Sequence, residues 1–304
     1  METISVCSHG PDDFRVLTAG EWLELRSAVD VLIFSSVAPQ TRLAVIRNNR
    51  SWGPPSANRF ELITQNFQVG DDHVAVRAGS LLSAGYQLGQ ITFPEPWAMG
   101  GGLFDYDKRL LDGFNKVFEP AFPAATRDRL FRSLEWFRLA HMEGAEVSDL
   151  SRIVMLATAF EILLQFPQEG KRQHFIKYAE SVIASPAFKT GVRMNPRGKS
   201  FTYSLAGCWA SDFYELRSKI VHGDAVTSTE VVYKDWITQF VVADMVFWEC
   251  MVRTLFDHGC LGDDVRSCAK DFDKLGSGTP SCVDTVIRSF LGFEEMHGAL
   301  GWLP

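Results

Sequence analysis

The sequence predicts a mainly α protein, with a C-terminal helical bundle over residues 121–304 preceded by an α+β N-terminal domain over residues 1–120. Two observations carry that expectation. Short apolar or alternating runs separated by turn-rich pieces fill roughly the first hundred residues, and from about residue 124 the apolar period becomes helical. The 304 residues allow two domains or one large one, and 46% hydrophobic residues with 12% aromatics describe a packed chain with a sizeable core.

The N-terminal runs are VDVLIFSSV (29–37), TRLAVIR (41–47), RFELITQNF (59–67) and DHVAVRAG (72–79), read as strands with one or two helices between them. Turn-rich pieces such as NNRSWGPPSAN separate them, and FPEPWAMGGG (93–102) reads as a linker or long loop. In the bundle, TRDRLFRSLEWFRLAHM predicts a first helix with Leu130, Leu134, Phe137 and Leu139 near one face. SDLSRIVMLATAFEILLQF starts at a Ser or Asp cap and is stopped by Pro167; only Arg152 and Glu161 interrupt its apolar surface, which places it near the bundle centre. KRQHFIKYAESVIASPAF makes a third helix, and the basic segment KTGVRMNPRGKS (189–200) is read as a loop. DFYELRSKIVHGDAV supplies a fourth helix that ends at Gly223, and residues 235–257 a fifth. The tail beyond Gly259 offers short amphipathic helices.

Residues 236–256 are long and apolar, but Asp244, Glu249 and Arg253 fall inside them, so they read as a buried helix rather than a membrane span. Six cysteines, at 7, 208, 250, 260, 268 and 282, form no Cys-x-x-Cys pair. No signal-peptide pattern opens the chain, and a reducing cytoplasmic location is expected. His258, Cys260, Cys268 and Cys282 have no recognisable zinc-ligand spacing, and AMGGGLF lacks the Lys-Ser/Thr of a phosphate-binding loop, so no metal or cofactor is expected.

The formal charge of −7 excludes binding of nucleic acid by bulk charge. It is unevenly spread, however: residues 121–260 carry sixteen basic and sixteen acidic residues and are the electrostatically favoured place for RNA or DNA.

Arg217 and His222 stand out within the fourth helix. Five residues correspond to about 140° of net rotation and a rise of about 7.5 Å, so the two side chains diverge on one helix. They converge more easily with a second copy of the helix across a two-fold axis, which makes a homodimer part of any shared site. The alternative is structural: Arg217 pairs with Asp212, Glu215 or Glu161, and His222 favours the negative helix end. Glu161, in the most apolar helix, needs a nearby cation in either case, and Arg217 is a suitable partner.

FYELRSKIVHG, with ATAFEILLQ about fifty residues before it, resembles the Apea-like branch of the HEPN superfamily over residues 125–257. Ser218 follows the Arg here, as in that branch, where many HEPN ribonucleases have Asn, Asp or His. The resemblance implies a HEPN-type bundle that acts as a metal-independent endoribonuclease in antiviral defence or toxin-like RNA cleavage, without cofactor, as a homodimer. It implies catalytic roles for Arg217 and His222, support from Glu161, Ser218, Lys219 and Tyr214, and RNA contacts from Arg197 and Lys199. For Tyr214 packing is the favoured reading over base stacking, and a solvated loop is the alternative for Arg197 and Lys199. Family members often carry a variable sensor-like domain in front, so a trigger ligand or protein at residues 1–120 is expected. The other function class is a non-catalytic dimerisation or ligand-binding scaffold, with the N-terminal domain as the recognition module.

Overall fold

The computed structural model describes residues 4–7, 14–46, 57, 65–69, 73–78, 82–87, 107–142, 147–183, 190–194, 200–234 and 237–262, and over these the chain is mostly helical. The linker 93–102 and the tail beyond residue 262 lie outside the described residues.

The N-terminal part opens with an antiparallel pair, β1 (Ile4–Cys7) and β2 (Phe14–Leu17). The helix α1 (Ala19–Ile46) follows, and then β3 (Gln65–Val69), β4 (His73–Ala78) and β5 (Leu82–Gln87) form a three-stranded antiparallel sheet in that order.

The runs 29–37 and 41–47, read as strands, instead fall on α1, apart from Arg47. The helix starts at a reciprocal cap in which Thr18 Oγ1 accepts from the Glu21 N–H at 3.2 Å and Glu21 Oε2 accepts from the Thr18 N–H at 2.9 Å. Asp30, Val31 and every residue from Ile33 to Ala38 are buried, as is Thr41, so what looked like continuous apolar runs is a core helix enclosed on most sides. Phe34 sits at the centre of that core, with ring centroids 5.1 Å from Phe137, 6.0 Å from Phe247 and 6.3 Å from Phe114.

Those three rings belong to later helices. Phe114 lies on α2 (Lys108–Phe118), capped by Asp107, Phe137 on α3 (Ala124–Ala140), and Phe247 on α8 (Gln239–Asp257). The helical core therefore reaches back across residue 120. Two ion pairs brace α1 on α3: Arg138–Asp30 at 2.6 Å and Arg26–Glu135 at 2.8 Å. On α3 the inward face is Leu130, Ser133, Leu134, Phe137 and Ala140, whereas Leu139, two residues from Phe137 and hence about 200° around, is only half-buried.

Helix α4 (Asp149–Leu163) begins at Ser148, whose hydroxyl accepts from the Ser151 N–H at 3.2 Å. It packs on α3, α6 and α8 and occupies the bundle centre, as its composition requires. Phe160 joins the two aromatic clusters, lying 5.3 Å from Phe247 on one side and 4.9 Å from Phe175 on the other. Next comes α5 (Lys171–Tyr178), running into a π-helical turn over Ala179–Ile183.

The basic segment read as a loop holds one strand, β6 (Thr190–Met194), and ends on the first residue of β7 (Ser200–Ser204), with which β6 pairs antiparallel. The segment's four basic residues, of which only Arg193 lies on a described strand, are why it resembled a loop. After it come α6 (Leu205–His222), the single turn α7 (Ser228–Val231), the short pair β8 (Val232–Lys234) and β9 (Ile237–Thr238), and α8. Helix α8 is buried on nearly every side. Among the described residues, no helix is long and apolar enough to cross a membrane.

Candidate active site

Helix α6 is anchored at both ends. At its start the Ser204 hydroxyl accepts from the Gly207 N–H at 3.1 Å, while Glu180 Oε1 accepts from the Ser204 N–H at 2.8 Å. A methyl group at Gly207 would collide with that carboxylate, so the glycine makes room for the cap. At its end Gly223 adopts φ 76°, and the Asp224 N–H reaches back to the Lys219 carbonyl at 2.9 Å. Between these points Ala206, Trp209, Ala210, Phe213 and Leu216 are buried. Trp209 and Phe213 stack at 5.3 Å, and Phe213 lies 6.0 Å from Phe160 of α4.

That packing sets the face on which Arg217 and Tyr214 meet α4. The Arg217 guanidinium lies 3.2 Å from Glu161 Oε1, and the Tyr214 hydroxyl donates to the same oxygen at 2.6 Å. Lys171, the first residue of α5, holds the other oxygen, Oε2, at 2.5 Å. The Arg217 guanidinium also stands 5.6 Å from the Tyr214 ring centroid, within cation–π range. Glu161, at 12% side-chain exposure, thus gathers two cations and a phenol. Burial and the Glu161 carboxylate push the Tyr214 phenol above its usual range, with Arg217 opposing, so this hydroxyl remains a donor.

The pairing of Glu161 with Arg217 is the one the sequence led us to expect. Tyr214 packs, as expected, against Phe166 at 6.2 Å, and its hydrogen bond adds a polar role. Lys171 was not anticipated. Its signal is faint but physical: Lys171 and Arg172 open a helix at the end where the dipole disfavours cations, so each needs an acid elsewhere in the fold. For Arg172 those partners are Ser211 at 2.7 Å and Glu215 at 2.8 Å, both on α6.

His222 is exposed in the last turn of α6, while Arg217 is half-buried and turned onto α4. The divergence expected from their spacing is what one chain displays. Ser218 is half-buried between them in sequence. Lys219 is engaged by Glu230 rather than free: the carboxylate of Glu230 also accepts from the Thr227 N–H at 2.9 Å and from its hydroxyl at 3.0 Å. Those bonds, that from Lys219 first, hold the Glu230 carboxyl down at about 2. Lys219 therefore ties α7 to the end of α6 beside His222.

Arg197 and Lys199 lie outside the described residues. Strand β7 runs into α6 at Ser204, eighteen residues before His222, which is about 27 Å along a helix, so β7 meets the end of α6 opposite the histidine.

Among the described residues no group of three or more His, Cys, Asp or Glu side chains is placed to hold a metal ion. Cys260 is buried, and Cys268 and Cys282 are outside the described residues. Comparison with known proteins finds no matching family model, curated protein or solved structure.

Proposed function

We propose that this chain is a metal-independent endoribonuclease of the HEPN type, working as a cytoplasmic homodimer in antiviral defence or toxin-like RNA cleavage. The observation that carries the reading is the Glu161–Tyr214–Arg217 arrangement on α4 and α6, with His222 exposed a little over one turn beyond the arginine. The chemistry asks for a cation to hold the phosphate and a group that transfers a proton near neutrality, and Arg217 and His222 supply those residue types on one helix.

RNA carries its own nucleophile. The 2′-hydroxyl oxygen attacks the adjacent phosphorus, the bond from phosphorus to the 5′-oxygen breaks, and the products end in a 2′,3′-cyclic phosphate and a 5′-hydroxyl. His222 takes up the 2′-hydroxyl proton or returns one to the leaving 5′-oxygen, because an imidazole titrates near neutrality. Arg217 binds the phosphate oxygens through its planar fork and offsets the charge of the five-coordinate transition state. Ser218 contributes a hydroxyl beside that fork, and the hairpin bearing Arg197 and Lys199 is assigned to the RNA backbone. Two copies meeting at the ends of α6 would bring one Arg217 toward the other copy's His222. An N-terminal α+β domain, in this reading, receives the trigger.

A second reading is a non-catalytic scaffold that dimerises or binds a ligand through the same bundle, with the N-terminal domain as recognition module. The engagement of Arg217 by Glu161 favours it, since an arginine committed to a structural pair needs no substrate. Incubating the pure protein with RNA in the presence of a chelator separates the two. Cyclic-phosphate products that disappear in Arg217→Ala and in His222→Ala support the nuclease, while loss of cleavage on chelation would move the chemistry to a metal.

A further inference from the structure

We infer that Lys171 is a positioning residue whose charge keeps Glu161 neutralised when Arg217 leaves it for a substrate phosphate. The inference rests on the proposed role of Arg217 as the phosphate-binding group and names the device that releases it.

Glu161 is enclosed in an apolar helix, and a carboxylate there that loses its last cation is strongly disfavoured. With Arg217 as sole counter-ion, recruiting it to a phosphate would strand that charge. The site avoids this by redundancy. Lys171 occupies Oε2 at 2.5 Å and Tyr214 occupies Oε1 at 2.6 Å, so both oxygens stay bonded and the charge stays balanced without Arg217. The arginine contact is the longest of the three at 3.2 Å, and its buried Nε has no hydrogen-bond partner. The guanidinium fork is therefore incompletely used where it stands.

No other described cation is placed to take over that duty. Arg172, the neighbour of Lys171, is held by Ser211 and Glu215. Lys219 is held by Glu230. Lys171 itself sits at the first position of α5, directly after Gly170 at φ 70°, where the helix dipole disfavours a cation; Glu161 is the compensating charge. Glu161 and Lys171 thus form a pair complete in itself, and Arg217 is an additional, exchangeable member.

The test measures RNA binding, not turnover, in the full chain carrying His222→Ala, so its outcome stands apart from whether the protein cleaves. Lys171→Met keeps the stem and removes the charge, leaving Arg217 as the only cation on Glu161; the dissociation constant for a short single-stranded RNA should rise about tenfold. Adding Glu161→Gln to Lys171→Met removes the charge that traps Arg217 and should restore binding to near the starting value. Lys171→Arg should bind like the parent, and it keeps the test open if Lys171→Met does not fold. Unchanged binding in Lys171→Met overturns the inference, and so does a loss that Glu161→Gln fails to reverse, which would mean Lys171 touches the phosphate itself. Absence of any Arg217-dependent RNA binding in the parent overturns it as well. If the binding pattern holds while the protein with His222 intact leaves RNA uncut, the nuclease reading fails and the release device stands.

Discussion

Glu161 and Asp244 are both acids set in apolar helices of one bundle, and the fold treats them differently. Glu161 lies at the α4–α6 contact, 12% exposed, with Lys171, Tyr214 and Arg217 gathered on its two oxygens. Asp244 lies in the second turn of α8, fully enclosed, and faces His141 with 3.5 Å between Nε2 and Oδ1. His141 donates from Nδ1 to the Phe137 carbonyl at 2.8 Å and lies 4.1 Å from the Phe137 ring, which fixes the imidazole against the core. The first acid is oversupplied with donors; the second faces a single imidazole at 3.5 Å and, among the described residues, neither of its oxygens has a hydrogen-bond partner. An ionisable group that can change partners is suited to function, whereas one with a single enclosed partner serves to register α8 on the end of α3.

That contrast can be broken by substitution. The largest effect is expected at the exposed end of α6: His222→Ala should lower RNA cleavage about a thousandfold, as loss of a proton-transfer group does, with the thermal midpoint unchanged. Next, Asp244→Ala empties a fully buried site beside His141 and should destabilise the fold by about 2 kcal/mol in urea titrations, with cleavage per folded molecule unaltered. Glu161→Gln should do the reverse, costing only about 1 kcal/mol of stability and keeping RNA affinity near the parent's, while lowering the cleavage rate constant about tenfold through loss of the carboxylate on which Tyr214, Lys171 and Arg217 are aligned. Similar losses of cleavage in the two variants would erase the distinction.

Asp30 sharpens the comparison as a third buried acid. Burial pushes its carboxyl up to about 6 from 3.8, although Arg138 pulls the other way. Because the folded state then binds the proton more tightly than the unfolded chain, the penalty is absent below about pH 4 and grows as pH rises to about 6. Between those limits the wild type should lose roughly 2–3 kcal/mol relative to Asp30→Asn in paired urea titrations, and equal slopes would contradict it. The smallest effect is expected at Gly207. Gly207→Ala displaces the Glu180 carboxylate from Ser204 and should cost about 1 kcal/mol, read as a lowered melting temperature.

How far the sequence reached follows from the same physics. The Glu161–Arg217 pair was legible because a charge in an apolar helix demands a partner, and few cations lay on helices able to meet it. The end of α6 at Gly223 was legible because the glycine takes a left-handed conformation that ends helices. The pairing of Asp244 with His141 was not, since it joins residues about a hundred positions apart whose own neighbours give no hint of contact. Nor was α1: its run from Val29 to Val37 is apolar on too many sides to betray a period, and the partners that bury it, Phe114, Phe137 and Phe247, come much later in the chain. The contact of Lys219, read as a supporting residue, with a glutamate eleven residues on in the cap of α7 was not legible either.

The proposal that an exposed imidazole and a tethered guanidinium cut RNA without an ion is tested most directly by mapping the products of purified protein on a defined RNA with chelator present. The account predicts fragments ending in 2′,3′-cyclic phosphate, formed by the wild type and by Asp244→Ala and absent with Arg217→Ala and with His222→Ala. Undiminished cutting by the purified His222→Ala protein would contradict it.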